Sequence, residues 1–380
     1  MQAGLLGRKL AHSLSPIVHR LFGDYEYRLY EREPEEVESF LREGDYAFLN
    51  VTIPYKRKAA ESCASLSPIA ERLGNVNFVR RDERGELVGD NTDYFGFKTL
   101  LDSLGVSAKG KRVSIFGAGG AAMTAKAVLE DALAKEVRLI ARGEDAPKDS
   151  ELLVNATPVG MFPEGDAVRF NVADYPACEA VVDLVYNPSP TRLVREALAC
   201  GKIAADGLVM LIAQAYRAFE LASSSLIPHP SSLFLYGPPA SGKSTLAKKI
   251  AAATGWRLVD LDAEIVKQAG RSIPEIFASE GEKEFRRIEK NCLKKVCSKR
   301  DDGDTAPQVV ALGGGALLDP ESRRLAEGTG RVIVLDCSLE TLKSRLTGGD
   351  RPLSADVVRL EALVAARAAH YASFLRHVAF

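Results

Sequence analysis

Between residues 232 and 253 the chain spells a short apolar strand, a glycine-rich turn and a helix. The turn, Gly237-Pro-Pro-Ala240-Ser241-Gly242-Lys243-Ser244-Thr245, satisfies the pattern G-x-x-x-x-G-K-[ST] in full. No other feature restricts the fold so strongly. Its glycines let backbone N–H groups turn inward as an anion nest, and the following helix adds the positive end of its dipole. Lys243 supplies a point charge for the β- and γ-phosphates of a nucleotide, and Ser244 offers a hydroxyl to Mg²⁺. Further strands read at Arg257–Leu261, Gln308–Leu312 and Arg331–Leu335, with helices between them. That alternation predicts an α/β domain with a mainly parallel sheet.

The P-loop lies too far along the chain to open its only domain. At 380 residues, the chain is long enough for two to three domains. The clearest joint is Ser223 to Ser232, SSSLIPHPSS, where five serines and two prolines in ten residues read as a linker. Upstream, residues 1–94 mix short apolar runs (Ala47–Ile53, Asn77–Val79) with helical patterns such as Glu36–Leu41. A helix over Tyr94–Leu104 leads to a strand at Arg112–Phe116, which enters the turn Gly117-Ala118-Gly119-Gly120-Ala121-Ala122. A helix to about Ala132 and a strand at Glu136–Ala141 complete a βαβ beginning, the opening of a dinucleotide-binding fold.

This second glycine turn fits G-x-G-x-x-A, whose last small residue permits close helix–strand packing. It is a weaker signal than the P-loop, because a glycine-rich βα turn also serves plain chain reversal. A carboxylate at the end of the next strand would hold the ribose of NAD; here the strand ends at Arg142, which suits the 2′-phosphate of NADP. Glu144 and Asp145 stand close by and keep NAD open.

Charge and composition exclude other classes. Fifty basic residues balance 51 acidic ones for a net charge of −1, so no footprint for nucleic acid or an anionic membrane exists. No apolar run approaches the roughly 18 residues of a membrane span, and the N-terminus lacks the apolar core of a signal peptide. Six cysteines without a C-x-x-C pair fit a reduced, cytoplasmic setting.

Several strings in the first part occur in a fixed order: Ser13-Leu-Ser15-Pro16, Asn50-Val-Thr52-Ile-Pro-Tyr-Lys56, Asn75-Val-Asn77 and Asp90-Asn-Thr-Asp93. After the glycine turn come Asn155-Ala-Thr-Pro-Val-Gly160-Met161, Asp183-Leu-Val-Tyr186-Asn-Pro188 and Asp206-Gly207-Leu-Val-Met210 through Gln214. Together they resemble shikimate dehydrogenases over about residues 1–222. The resemblance implies NADPH-dependent reduction of 3-dehydroshikimate to shikimate, with Lys56 and Asp93 as the catalytic pair. Independently, an ammonium held beside a carboxylate can polarise a ring carbonyl and protonate the alkoxide formed. The resemblance also implies that Ser13, Ser15, Thr52, Asn77, Tyr186 and Gln214 bind substrate. Gly117, Ala118, Gly119, Gly120, Ala121, Arg142 and Gly207 would bind the cofactor. Residues 1–94 would form the substrate lobe, completed by a helix at about 206–222, and 95–205 the NADP lobe. Ser15-Pro16 also reads as an N-cap and first helical residue. Only twelve residues, 143–154, separate Arg142 from Asn155, where the family fits a helix and a strand. The cofactor lobe is therefore expected to be trimmed.

After the P-loop come Asp260-Leu-Asp262, Ile276-Phe277, Glu280-Gly281-Glu-x-x-Phe285-Arg286, Gly313-Gly314-Gly315, Arg351-Pro-Leu353 and Arg367-x-x-x-Tyr371. This set resembles shikimate kinases over about residues 233–377, within a domain spanning 233–380. By that resemblance Asp262 deprotonates the attacking hydroxyl of shikimate, and Asp260 holds Mg²⁺ with Ser244. Arg286, Arg367 and Gly313–Gly315 bind substrate, and Phe277 and Phe285 line its pocket. Gly237, Ala240, Ser241, Gly242, Lys243, Ser244 and Thr245 hold ATP. Arg351, on a short lid, reaches the transferring phosphoryl, and Arg345 stacks on adenine. Asp260 and Asp262 equally suit caps of the helix that follows. The family continues past a point equivalent to Phe380 with a strand and a helix, so those elements are expected to be missing.

The two resemblances share one metabolite. They imply a bifunctional dehydrogenase–kinase acting on 3-dehydroshikimate, shikimate and ATP. A second reading is an NAD-preferring quinate/shikimate dehydrogenase fused to another small-metabolite kinase. A third makes one half a degenerate ligand-binding module. Oligomeric state is not legible in the sequence.

Overall fold

Short apolar runs become strands and the periodic stretches between them become helices, gathered into three separate sheets. The structure, a computed structural model, describes residues 2–222, 231–298, 306–345 and 357–379, the side chains of 357–359 aside. Most of the serine- and proline-rich joint, the short lid Leu346–Asp350 and Arg351 lie outside the described residues. The chain forms two compact units, Met1–Ile227 with Ala252–Thr254, and Pro228–Ala251 with Gly255–Phe380.

The first sheet has six strands in the order Glu26–Glu31, Gln2–Gly7, Phe48–Val51, Phe78–Arg81, Leu87–Asp90, Ser65–Leu66. Its first three strands are parallel, and Phe78–Arg81 and Leu87–Asp90 then reverse direction in turn. One sheet edge therefore collects the chain just after Gly7, after Val51, before Phe78 and after Asp90. Those are the positions of Ser13, Thr52, Asn77 and Asp93. The helix Leu208–Ala222 packs against Thr92–Leu104 and Ser15–Phe22, returning the chain to this lobe. Its Leu208–Tyr216 stretch is buried throughout, as is Phe219. Each large apolar side chain taken from water contributes roughly 1.5–3 kcal/mol to that docking.

The second sheet is wholly parallel, in the order Ile203–Asp206, Ala180–Asp183, Leu152–Asn155, Arg112–Phe116, Glu136–Ile140. From Ile140 to Leu152 the chain crosses without a helix and enters the strand Leu152–Asn155. Ala146, Phe170, Val172 and Tyr175 pack beside this crossover with Phe116, Ile140 and Leu153. Phe170 stacks on Phe116 at 4.4 Å between ring centres. Arg72 forks onto Asp131 at 2.7 and 2.9 Å, and Tyr94 donates to the same carboxylate at 2.6 Å. That cluster ties the helix Pro68–Leu73 of the first lobe to Gly120–Asp131 of the second.

The third sheet, in the second unit, is again parallel: Arg257–Asp260, Gln308–Ala311, Ser232–Tyr236, Arg331–Leu335, His377–Val378. The last strand, His377–Val378, was not read from the sequence and lies just before Phe380. It is two residues long, too short to show a period, and pairs with Val334 and Leu335. The N-cap reading of Ser15 is corrected. It is the first residue of its helix, the N-cap position falls on Leu14 without a side-chain cap, and the hydroxyl of Ser13 accepts from the Ser15 N–H at 3.2 Å. Ser13 is thus already placed to take the amide.

Asp183 closes the strand Ala180–Asp183 and accepts from Asn155 Nδ2 at 2.9 Å and the Val185 N–H at 3.1 Å. Burial nevertheless pushes its carboxyl up to about 6, against hydrogen bonds from Thr191, Val185 and Asn155. The folded state therefore holds this proton more tightly than the unfolded chain. The resulting stability is full below the ordinary value of 3.8 and is lost as pH rises through about 6. Asp183→Asn is expected to remove that slope. The difference in thermal midpoint between wild type and variant, followed from pH 4 to 7, checks it; a pH-independent difference refutes it.

Candidate functional site

In the first unit the helix Lys56–Glu61 starts four residues after Thr52, so Lys56 stands at the same sheet edge as Asp93. The Lys56 ammonium donates to the Asp93 carboxylate, and both side chains keep a small opening to solvent, 17% and 13%. Asp93 sits in the first turn of Thr92–Leu104, where Asn91 caps by accepting from Tyr94 N–H at 3.3 Å. Around the pair lies a polar ring. Asn77 Nδ2 donates to Thr92 Oγ1 at 3.0 Å, and the Thr92 N–H to Asn77 Oδ1 at 2.6 Å. Gln214 Oε1 accepts from Thr92 Oγ1 at 3.5 Å. Burial, with the nearby Asp93 charge adding, pushes the Tyr186 phenol above its ordinary value. Asn77, Asp93, Tyr186 and Gln214 are therefore gathered in one place.

The glycine turn lies beside the same pair. A Cβ built on Gly120 would lie 3.8 Å from Lys56 Cδ. Gly117 has φ +120°, and an added Cβ would meet Ala156 O at 3.0 Å, so only glycine turns the chain there. Gly119 caps Gly120–Asp131 with no side-chain bond, leaving the first-turn amides for an anion. Residues after each strand of this parallel sheet lie at one edge, which places Arg142, Tyr186 and Gly207 there with Gly117–Ala121. Gly207 has a packing reason of its own, since an added Cβ would meet Leu184 O at 2.3 Å.

Arg142 is exposed on the turn after Ile140. Beside it stands a residue that the sequence reading missed. Arg169 Nη2 donates to Ala141 O at 3.2 Å and Glu144 O at 2.9 Å, with its guanidinium 4.8 Å from the centre of the Phe116 ring. It braces the turn around Arg142 across the helix-less crossover. Glu144 Oε2 accepts from the Ala141 N–H at 3.3 Å.

In the second unit the P-loop, Asp260–Asp262 and Gly313–Gly315 follow strands at the carboxyl edge of one parallel sheet, the usual ligand edge of such folds. Gly237, Ala240 and Gly242 all have positive φ, which curls the P-loop backbone. Gly242 caps Lys243–Thr254 without a side-chain bond, so these amides too are open to phosphate. Lys243 is buried and donates to Gly237 O at 3.0 Å and Pro238 O at 2.7 Å. Ser244 Oγ donates to Asp260 Oδ2 at 2.8 Å, and the hydroxyl with the carboxylate is a fitting oxygen set for Mg²⁺. Asp260 also caps its helix, accepting from the Asp262 N–H at 3.1 Å, so the metal-site and capping readings coincide. Arg345 Nη1 reaches Ser241 O at 3.4 Å beside the loop, whose Thr245 is exposed.

The triple glycine is a crowded floor. An added Cβ on Gly313 would lie 3.3 Å from Asp262 Oδ1 and 2.7 Å from Glu289 Oε1; on Gly315 it would meet the Arg286 guanidinium at 2.7 Å. Arg367 Nη1 and the Tyr371 hydroxyl both donate to Gly314 O, at 3.1 and 2.7 Å. Arg286 pairs with Glu289 at 2.7 Å and Glu282 at 3.1 Å and lies over Phe285, whose ring is 4.8 Å from Phe277. Phe285 is part of the core and Phe277 packs on it. Glu289 is the second missed residue. Burial pushes its carboxyl up and the Asp262 charge adds to this, while Arg286 and Arg367 pull it down. Three residues after Arg286 on one helix, it could have been noticed by spacing, although EGEKEFRRIEK reads first as a solvated face.

A dinucleotide-type lobe facing a Lys–Asp pair defines a nucleotide-dependent oxidoreductase, and the P-loop unit a nucleotide-dependent phosphotransferase. Residues 5–79 match the family model of the shikimate dehydrogenase substrate binding domain, and residues 239–379 that of shikimate kinase. The shikimate dehydrogenase (NADP(+)) of Clostridium beijerinckii is 32% identical over 244 residues, covering 57% of this chain and 90% of the relative. That of Methanopyrus kandleri is 35% identical, covering 57% and 88%. Among solved structures, Thermus thermophilus shikimate 5-dehydrogenase in complex with NADP(H) and shikimate superposes with a TM-score of 0.55 at 29% identity, covering 67% and 98%. A chorismate mutase/shikimate 5-dehydrogenase fusion protein from Clostridium acetobutylicum gives 0.54 at 30%, covering 58% and 90%. The chain belongs to the shikimate dehydrogenase family and carries a shikimate kinase domain after it.

Gly313→Ala should push the Glu289 carboxylate, 2.7 Å from the added Cβ, and shift the Asp262 carboxylate at 3.3 Å by a few tenths of an ångström. Kinase turnover is expected to fall, on the order of tenfold, well under the roughly 10²-fold of a full 1 Å misplacement. Steady-state ADP release, with the thermal midpoint as control, measures it; unchanged turnover would show that the crowding at Gly313 does not govern Asp262.

Proposed function

We infer that the chain is a bifunctional enzyme. It reduces 3-dehydroshikimate to shikimate with NADPH and phosphorylates shikimate with ATP to shikimate 3-phosphate. The observation that carries this reading is that each unit sets a nucleotide loop against its own proton-transfer and charge-holding groups. Gly120 lies beside Lys56 in one, and Ser244 bonds Asp260 in the other. When bound, NADPH supplies hydride and Mg-ATP the phosphoryl group.

Lys56, oriented by its hydrogen bond to Asp93, donates a proton to the oxygen of the ring carbonyl as that oxygen becomes an alkoxide. Asn77, Tyr186 and Gln214 bond the ring hydroxyls, with Thr52, while Ser13 and Ser15 take the carboxylate. Gly117–Ala121 and the open first turn after Gly119 hold the pyrophosphate, with Gly207 at the same edge. Arg142, braced and joined by Arg169, accepts the 2′-phosphate that distinguishes NADP. In the second unit Asp262 takes the proton of the attacking hydroxyl. Arg286 and Arg367 grip the substrate carboxylate over the Gly313–Gly315 floor, a task suited to planar guanidinium forks. The P-loop amides and Lys243 neutralise phosphate charge, Ser244 and Asp260 hold Mg²⁺, and Arg345 lies against adenine. Arg351 serves the transferring phosphoryl. Phosphoryl transfer asks mainly for such positioning and charge neutralisation.

Six free thiols and a near-neutral charge support a cytoplasmic enzyme of small molecules, acting on neither nucleic acid nor membrane. No described helix is long and apolar enough to cross a membrane.

Lys56→Ala is expected to lower 3-dehydroshikimate-dependent NADPH oxidation by roughly 10²–10⁴-fold, the usual share of general acid catalysis, and to spare the kinase. Lys243→Ala should do the reverse. Separate assays of NADPH loss and ADP release test both; loss of both activities in either variant refutes independent sites. Arg169→Ala should weaken NADPH binding about tenfold, in keeping with one charge-assisted hydrogen bond of about 1.5 kcal/mol, and leave NADH binding unchanged. Fluorescence titration of each nucleotide decides this; equal weakening of both would leave Arg169 a brace alone.

A further inference from the structure

The parallel sheet of the second unit has two edges, and the P-loop, Asp260, Asp262 and Gly313–Gly315 follow strands at the carboxyl one. At its amino edge Arg257 opens one strand and Gln308 its neighbour, the two being register partners. The helix Leu261–Ala269 brings Glu264, Lys267 and Gln268 back to this edge, and the end of Ile273–Cys297 adds Cys292, Lys295 and Val296. These residues line a half-open pocket of about 310 Å³, with Arg257, Lys267 and Lys295 exposed at its rim.

Its lining is lopsided in charge, with three cations facing one carboxylate. Lys295 donates to Gln268 Oε1 at 2.9 Å, while Arg257 and Lys267 make no ion pair and no side-chain hydrogen bond among the described residues. Lys267 and Lys295 each lie in the last turn of a helix, where a cation complements the dipole. That reason does not extend to Arg257, which begins a strand, nor to the hollow between them. The floor is rigid: Gln308 is buried, and its Nε2 donates to Ser232 Oγ at 2.9 Å and Val296 O at 3.0 Å. Cys292 Sγ donates to the same Gln268 amide oxygen at 3.4 Å.

We propose that this amino-edge pocket is a second ligand site of the unit, taking a small phosphate-bearing metabolite. A guanidinium and two ammonium groups match a phosphomonoester in charge and donors, and the Glu264 carboxylate can accept from hydroxyls of its body. The site lies at the other end of the strand Arg257–Asp260 from the Asp260 metal position, so it is separate from the P-loop.

The test uses the full chain with Mg-ADP at saturation, so that the P-loop is already filled. Inorganic phosphate and glycerol 3-phosphate are titrated by calorimetry at constant ionic strength. One phosphate per chain beyond Mg-ADP is expected, with glycerol 3-phosphate binding more tightly. R257A combined with K267Q should weaken both at least tenfold, at unchanged thermal midpoint and kinase kcat. A control pair with the same charge change outside the pocket, R324A with K283Q, should bind like wild type. No binding beyond Mg-ADP overturns the proposal. So does equal weakening by the control pair, which would mark a diffuse field in place of a site.

Discussion

In both nucleotide lobes the first glycine of the loop is pressed against the end of a neighbouring strand. An added Cβ would meet Ala156 O at 3.0 Å from Gly117 and Leu335 O at 2.9 Å from Gly237, and both glycines have strongly positive φ. The chain can leave each strand in this direction only without a side chain. That turn aims a helix N-terminus with no side-chain cap at the sheet edge, which makes an anion site from backbone alone. The remaining site groups are arranged around these two open helix ends.

What each unit adds is a hydrogen-bonded pair of functional side chains beside its loop. Lys56 and Asp93 come from separate helices of a mixed sheet whose alternating strand directions return four segments to one side. Ser244 and Asp260 come from two elements of a parallel sheet, where every strand ends on the same side. Topology thus substitutes for proximity in sequence. The same logic explains the opposite edge of the second unit, where helix ends and strand starts must also converge and where Arg257, Lys267 and Lys295 gather.

Much of this was legible before any coordinates. The P-loop, the Lys56 and Asp93 strings and the Asp260-Leu-Asp262 turn are local patterns, and a local pattern survives in one dimension. Arg169 and Glu289 were not legible. Arg169 is 27 residues from Arg142 and meets its turn only through backbone carbonyls, which leave no sequence signature. Glu289 lies in a helix whose charges read as solvated, and only packing against Gly313 shows it to be buried. The cap at Ser15 was misread by one residue, since the helix already includes Ser15 and the N-cap position falls on Leu14. The strand His377–Val378 was too short for periodicity to reveal.

The sequence by itself determined the two nucleotide loops, the order of strands and helices around them and the identity of the groups that carry charge. These depend on backbone freedom at particular glycines and on side-chain chemistry, both of which are properties of the residues themselves. Only the tertiary structure decided which charges become partners, which carboxylates are buried and how the helix-less crossover is held. Those depend on distance and desolvation, which a linear spacing does not contain. The short stretch between Arg142 and Asn155 shows the division plainly: its shortness was countable, but the brace supplied by Arg169 exists only because folding brings a distant guanidinium beside those carbonyls.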